Sequence, residues 1–167
     1  MAQTCLGARL VNAELADALR KGGVSGLELR QVRFYRNDEP LPWYQMIATH
    51  TMPRMSKGTK GLLREAAPRW ACPVCERDGY CGSPEQPLEI MYERREVDLD
   101  STPDVVETWE CFGRSLRPES ARGHERWGLG SALILVKPKV LEIFRRLKVR
   151  KVCFQPVRIA DAGEAHD

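Results

Sequence analysis

The chain has 167 residues, enough to bury one hydrophobic core, and we expect a single domain over residues 1–159 followed by a flexible tail at residues 160–167. Its contents of 43% hydrophobic and 29% charged residues are those of a globular protein, and no apolar run approaches the roughly 18 residues of a membrane span. The net charge of +3 comes from interleaved basic and acidic residues, a pattern that disfavours binding along a nucleic-acid backbone.

The N-terminal residues lack the positively charged start and long apolar run of a secretory signal, which indicates a cytoplasmic protein. In that reducing compartment, the six cysteines are expected to be thiols or metal ligands rather than disulfides. We therefore predict a soluble protein that has no membrane partner.

Two parts of the chain resemble each other: residues 11–34 align without a gap with residues 136–159, and their apolar positions coincide. In each part the apolar spacing is first that of a helix and then that of a half-buried strand, which predicts strand-helix-strand units over residues 6–34 and 132–159. The predicted opening strands are residues 6–11 and 132–136, and the predicted closing strands are residues 26–34 and 151–159.

Local chemistry marks the helix ends in these units. Asn12 is expected to cap the first helix and Gly22 with Gly23 to end it, while Pro138 suits the first turn of the second helix. Pro156 indicates that the last strand is at a sheet edge or bulged.

Between the two units, residues 43–51 and 88–93 read as strands, and residues 105–112 as a further strand or as a short helix after Asp104. The predicted fold class is α+β, with two similar strand-helix-strand units around a mixed sheet. A cysteine knuckle is inserted over residues 70–82.

The knuckle carries the strongest chemical signal in the sequence. Cys72 and Cys75 have the C-x-x-C spacing that lets two thiolates converge on one tetrahedral zinc ion, and Cys81 is the natural third ligand. The candidates for the fourth ligand are Cys111, His50, His124 and Asp78. Cys111 is favoured, because zinc prefers soft ligands.

Two other interpretations of the knuckle stay open. One is a turn that keeps its cysteines without a metal, and the other is thiol redox chemistry. The second requires a C-x-x-C at the start of a helix, whereas Pro- and Gly-rich sequence surrounds this one.

No catalytic motif stands out, and we predict that the protein is not an enzyme. His50, His124 and His166 belong to no metal-binding or nucleophile motif, Ser131 is not in a G-x-S-x-G turn, and residues 57–61 lack the order of a phosphate loop.

Three segments carry a family resemblance: the C-P-V-C of residues 72–75, the V-V-E-T-W-E-C-F-G of residues 105–113, and residues 133–136 with 154–157. Together they resemble the double-CxxCG-motif family of myxobacterial paralogues. Only one C-x-x-C is present here, and Glu76 stands where the family motif has glycine.

Some members of that family are associated with immunity against polymorphic toxins. The resemblance implies a cytoplasmic immunity protein, whose partner is a cognate protein toxin. The alternative is a zinc-knuckle nucleic-acid-binding or regulatory protein, in which residues 54–60 with Arg64, Arg69 and Arg77 contact phosphates and Trp70 and Tyr80 stack on bases.

Overall fold

A computed structural model of the protein describes residues 2–3, 9–61, 70–71, 77–81, 88–113, 131–150 and 152–161. Their helices and strands confirm the predicted α+β class. Contacts divide the chain into two compact units. Unit 1 comprises Met1–Thr51, Thr102–Glu107 and Ile134–Cys153, and unit 2 comprises Met52–Ser101, Thr108–Leu133 and Phe154–Asp167. The single domain over residues 1–159 stays a prediction.

The elements in chain order are β1 (Ala2–Gln3), β2 (Arg9–Asn12), α1 (Ala13–Lys21), β3 (Leu27–Arg33), β4 (Pro40–Ala48), β5 (Trp70–Ala71), β6 (Asp78–Cys81), β7 (Met91–Glu93), a 3-10 turn (Arg94–Glu96), β8 (Val105–Gly113), β9 (Ser131–Val136), α2 (Pro138–Arg146) and β10 (Arg158–Ala160). Both α-helices have nine residues. Within the described ranges, no helix is long and apolar enough to cross a membrane.

Unit 1 contains an antiparallel sheet with the strand order β1-β2-β4-β3. Its core combines apolar residues of this sheet, of both helices and of the start of β8. The fully or almost fully buried members are Val11, Leu15, Ala16, Leu19, Met46, Val105, Val140, Ile143 and Phe144. Each helix contributes three of them from one face, as the helical spacing in the sequence predicts.

The predicted helix ends are confirmed. The Asn12 side chain accepts a hydrogen bond of 3.1 Å from the backbone N–H of Leu15, and the N–H of Gly22 donates to the carbonyl of Ala18 at the other end of α1. Gly23 follows with a φ of +58°, a conformation that favours glycine. Pro138 begins α2, where its missing N–H leaves no helix hydrogen bond unmade.

The two related parts of the chain differ after the helix. In the first, β3 pairs along its length with β4. In the second, the predicted strand over residues 151–159 is wrong for residues 152–157, and β10 instead pairs parallel with β7 in unit 2. Pro156 gives a physical reason, since it has no N–H to donate to a sheet.

Two other predictions change: the number of sheets and the start of the flexible tail. Among the described residues the strands form three sheets rather than one mixed sheet, the third having the order β5-β6-β8-β9 with both antiparallel and parallel pairs. The flexible tail predicted from residue 160 does not include Ala160, which is buried in β10, or Asp161, which lies 3.1 Å from Arg94. Residues 162–167 and the predicted strand start at residues 6–8 lie outside the described residues.

A compact junction in unit 1 joins the loop before β3, the start of β8 and the start of α2. The Asp104 carboxylate accepts hydrogen bonds from the backbone N–H of Ser25 at 3.0 Å and from its hydroxyl at 3.1 Å. Lys139 donates to the same carboxylate at 3.3 Å and to the Gly23 carbonyl at 2.9 Å. The hydrogen bond from the Ser25 N–H is the largest cause that lowers the pKa of Asp104, against an opposing effect of burial.

Gly26 lies where the junction is tightest. Its φ is +75°, and a Cβ on this residue would lie 2.2 Å from the carbonyl oxygen of Val105 and 2.5 Å from the Cβ of Pro103. Val105 is fully buried in the core, so the chain has little room to shift away.

We expect Gly26→Ala to lower the free energy of unfolding by more than about 3 kcal/mol, because it combines an unfavourable φ with a backbone clash. Gly23→Ala is the matched control: its φ is also positive, but nothing lies within 4 Å of the added Cβ. The control should lose only about 1–2 kcal/mol in urea denaturation. Equal losses in the two variants would contradict the close approach at Gly26.

The lowered pKa of Asp104 predicts a dependence of stability on pH. Because the folded pKa lies below the unfolded one, the contribution of Asp104 is complete above about pH 4 and disappears as the pH falls through the folded value. Asp104→Asn should therefore be less stable than the parent protein at pH 7, by about 1 kcal/mol for the partly exposed hydrogen bonds that it weakens, and should approach the parent in acid. Glu142→Gln, an exposed carboxylate of the same unit, serves as the control. A constant difference across pH would contradict the prediction.

Candidate functional site

The knuckle region is organised by a short hairpin in unit 2. β5 and β6 pair antiparallel, with Trp70 opposite Gly79 and Ala71 opposite Asp78. Cys72 and Cys75 belong to the connection between these strands and lie outside the described residues. The hairpin therefore joins the C-x-x-C directly to two paired strands.

Two of the four predicted ligands stand on neighbouring strands. β6 and β8 pair parallel, with Gly79 opposite Cys111 and Cys81 opposite Gly113, so Cys81 and Cys111 are two register positions apart. The usual rise and spacing of strands give about 8 Å between their Cα atoms. Tetrahedral Zn–S bonds of about 2.3 Å place sulfurs about 4 Å apart, and each sulfur lies within about 3 Å of its own Cα. A separation of about 8 Å between Cα atoms is within the reach of two cysteine side chains that share one ion.

The other candidates for the fourth ligand are distributed differently. His50 is an exposed residue of unit 1, where its Nδ1 lies 2.9 Å from the Thr49 hydroxyl. Asp78 lies on β6 in unit 2, and His124 lies outside the described residues. Among the residues described, no group of three or more His, Cys, Asp or Glu side chains is placed to hold a metal. Cys72 and Cys75 are not among these side chains, because they lie outside the described residues.

Arg77 connects the knuckle to β8. Its half-buried guanidinium donates from Nε to the Trp109 carbonyl at 2.9 Å and from Nη2 to the Thr108 carbonyl. Nearby, the Arg54 guanidinium lies 5.7 Å from the centroid of the Trp109 ring, a cation–π distance. Both arginines are thus engaged inside unit 2, whereas the sequence alone suggested contacts with phosphates.

One face of β8 is buried and partly polar, a feature the sequence reasoning missed. Thr108 donates to the Glu110 carbonyl at 2.7 Å and accepts from the N–H of Leu133 at 3.0 Å, and a Glu110 carboxylate oxygen accepts from the N–H of Met55 at 2.8 Å. Tyr92 is fully buried, and burial, followed by the charge of Glu110, raises its pKa well above the ordinary value. In the sequence, this face could have been predicted from the alternating positions of Val106, Thr108, Glu110 and Phe112 along the strand.

Unit 1 exposes two aromatic side chains at the turn between β3 and β4. Phe34 is 41% exposed and Tyr35 is 82% exposed, and their ring centroids lie 5.4 Å apart. The Arg36 guanidinium donates to the Tyr35 hydroxyl at 2.7 Å and lies 5.4 Å from the centroid of that ring. We refer to Phe34, Tyr35 and Arg36 as the aromatic tip.

The backbone that carries the aromatic tip is held by its own turn. The N–H of Phe34 donates to the Glu39 carbonyl at 2.8 Å, and the N–H of Asp38 donates to the Phe34 carbonyl at 2.9 Å. A salt bridge of 3.0 Å joins Arg33 to Asp38, which has a positive φ of 57°. The backbone of the tip is therefore fixed by contacts within its own turn. Sequence reasoning missed this surface because exposure is not visible in a sequence.

In comparisons with known proteins, no family model, no curated protein and no solved structure matches the chain. The likeness to the double-CxxCG-motif family accordingly stays a prediction that rests on the residues quoted for it. Inference about function rests on the contacts and surfaces of this chain itself.

Proposed function

We propose that the chain is a non-catalytic, cytoplasmic protein-binding protein, and specifically an immunity protein that neutralises a cognate polymorphic toxin. The observation that carries the proposal is the aromatic tip. Tyr35 exposes 82% of its surface on an ordered turn although it makes no contribution to the apolar core of unit 1. The family resemblance supplies the kind of partner.

The composition of the aromatic tip is that of a protein-binding surface. Tyrosine and arginine are enriched among the residues that contribute most to binding, because they combine large apolar area with polar groups. The contacts of Arg36 with Tyr35 orient both side chains before any partner arrives. Such preorganisation reduces the entropy that binding has to overcome.

The nucleic-acid alternative receives less support from the described residues. Arg77 donates to two backbone carbonyls and Arg54 lies over Trp109, so both of these proposed phosphate ligands have partners within unit 2. Phosphate binding by them requires that these contacts break. The side chains of Trp70 and Tyr80 lie outside the described residues.

We further propose a structural zinc ion held by Cys72, Cys75, Cys81 and Cys111. The backbone register of Cys81 and Cys111 supports the last two ligands. Four thiolates complete a tetrahedral site and leave no position for a reactive water. The role of the ion in this proposal is to link the C-x-x-C to β6 and β8.

The zinc proposal predicts about one zinc per chain in protein purified without chelator, and its loss in a Cys72→Ser/Cys75→Ser variant. Because binding of the ion is coupled to local folding, hydrogen exchange over residues 70–81 should rise in that variant while unit 1 stays protected. Cys153→Ser is the matched control, since Cys153 is an exposed cysteine outside the ligand set. Metal-free parent protein, together with unchanged thermal stability of the double variant, would contradict the zinc site.

The immunity proposal predicts a stable complex with a toxin encoded beside this protein and protection of cells that express that toxin. Tyr35→Ala should weaken the complex by about 30-fold, the effect of losing about 2 kcal/mol at a central binding residue. Leu99→Ala is the control, since it removes an exposed apolar side chain from unit 2. Calorimetry measures both affinities. Absence of binding to any neighbouring gene product, with a folded protein, would contradict the function.

A further inference from the structure

A second surface of unit 1 is distinguished by its charge. Arg145 and Arg146 are the last two residues of α2, and Lys148 and Arg150 lie within four residues of the helix end. All four side chains are exposed. We call these four residues the basic turn. Glu142 is the one carboxylate of α2.

The fold directs these cations outward. Leu147 and Val149, which alternate with them, are half-buried and pack against the core of unit 1. The N–H of Lys148 donates to the Arg145 carbonyl at 3.0 Å, and that of Val149 donates to the Phe144 carbonyl at 3.1 Å. Lys148 has a φ of 50°, a backbone conformation in which glycine is the usual residue, although lysine carries a charged side chain there.

The four cations of the basic turn have no carboxylate partner among the described residues. Four other cations of the unit do have one: Arg20 pairs with Asp17, Arg30 with Glu28, Arg33 with Asp38 and Lys139 with Asp104. Four exposed cations of unit 1 are thus neutralised locally, whereas the basic turn concentrates within six residues four cations that have no carboxylate partner among the described residues.

Stabilisation of the helix accounts for only part of this group. Cations favour the C-terminal end of a helix through its dipole, but that effect is limited to the last turn. It covers Arg145 and Arg146, whereas Lys148 and Arg150 lie beyond the end of α2. These two residues add mutual repulsion, and no ion pair compensates it within the part of the chain that the structure describes.

We propose that the basic turn is the docking surface for an acidic patch of the protein partner, an inference that rests on the proposed immunity function. An acidic protein fits better than a nucleic acid. Residues 145–150 include no aromatic side chain that could stack on a base, and four other cations of unit 1 are already paired with carboxylates and so are less available to contact phosphates.

The test compares association rates of the full-length chain with the toxin encoded beside it. Lys148→Gln/Arg150→Gln removes two unpaired cations without altering α2. Arg94→Gln/Arg95→Gln is the matched control, since it removes two exposed cations that have carboxylate partners in unit 2. Thermal unfolding verifies that both variants are folded.

Unpaired surface charges act mainly by attracting a partner over a distance. We expect the Lys148→Gln/Arg150→Gln variant to associate about five- to tenfold more slowly at about 50 mM salt, with a dissociation rate within about twofold of the parent. The difference should shrink at about 300 mM salt, where charges are screened within a few ångströms. The control should keep its association rate within about twofold.

Poly-glutamate and a single-stranded oligonucleotide of equal charge, used as separate probes, distinguish the other outcomes. Toxin binding with an unchanged association rate in the Lys148→Gln/Arg150→Gln variant overturns the inference alone. Loss of toxin binding in all proteins, with poly-glutamate binding that still depends on Lys148 and Arg150, overturns the immunity function and supports an acidic partner. Tighter binding of the oligonucleotide through the same two residues overturns the inference in favour of nucleic acid.

Discussion

The hydrogen bonds between Ser25 and Asp104 are the constraint on which unit 1 depends. They join residues 79 positions apart in the chain and fix where β8 begins, and Lys139 attaches α2 to the same carboxylate. Val105, the residue after Asp104, is buried in the apolar core. The position of the polar junction and the packing of the core therefore depend on each other. Gly26 is required because the backbone approaches Val105 too closely for a side chain. The turn of β3 and β4 and the end of α2, which carry both proposed binding surfaces, extend from elements that this junction positions.

Sequence reasoning succeeded where structure depends on neighbours in the chain. The cap at Asn12, the end of α1 at Gly22 and the start of α2 at Pro138 follow from contacts within four residues. It failed where distant pairing decides the outcome. Residues 136–159 share an apolar pattern with residues 11–34, but a pattern does not specify a partner strand, and β10 pairs with β7 rather than with a copy of β4.

In the candidate metal site, too, local sequence predicts one part and distant strand pairing decides the other. The C-x-x-C spacing identifies Cys72 and Cys75 from the sequence alone, but the relation of Cys81 to Cys111 depends on parallel pairing between β6 and β8. Arg77 was interpreted as a surface cation, because its two carbonyl acceptors lie more than thirty residues away on β8. The aromatic tip and the basic turn are defined by exposure and by missing partners, which only three-dimensional contacts reveal.

In the proposed function, the two surfaces of unit 1 act on different steps of binding. Aromatic contacts operate only at short range, after water has been excluded, so in this proposal the aromatic tip chiefly sets how slowly a complex dissociates. Surface charges act over roughly a Debye length, so in this proposal the basic turn chiefly sets how often an acidic partner arrives. An immunity protein needs both properties, because a toxin must be captured before it reaches its target and must then stay bound. The apolar core of unit 1 includes neither the exposed Tyr35 ring nor the side chains of Lys148 and Arg150, and in the proposed function binding accounts for these exposed side chains.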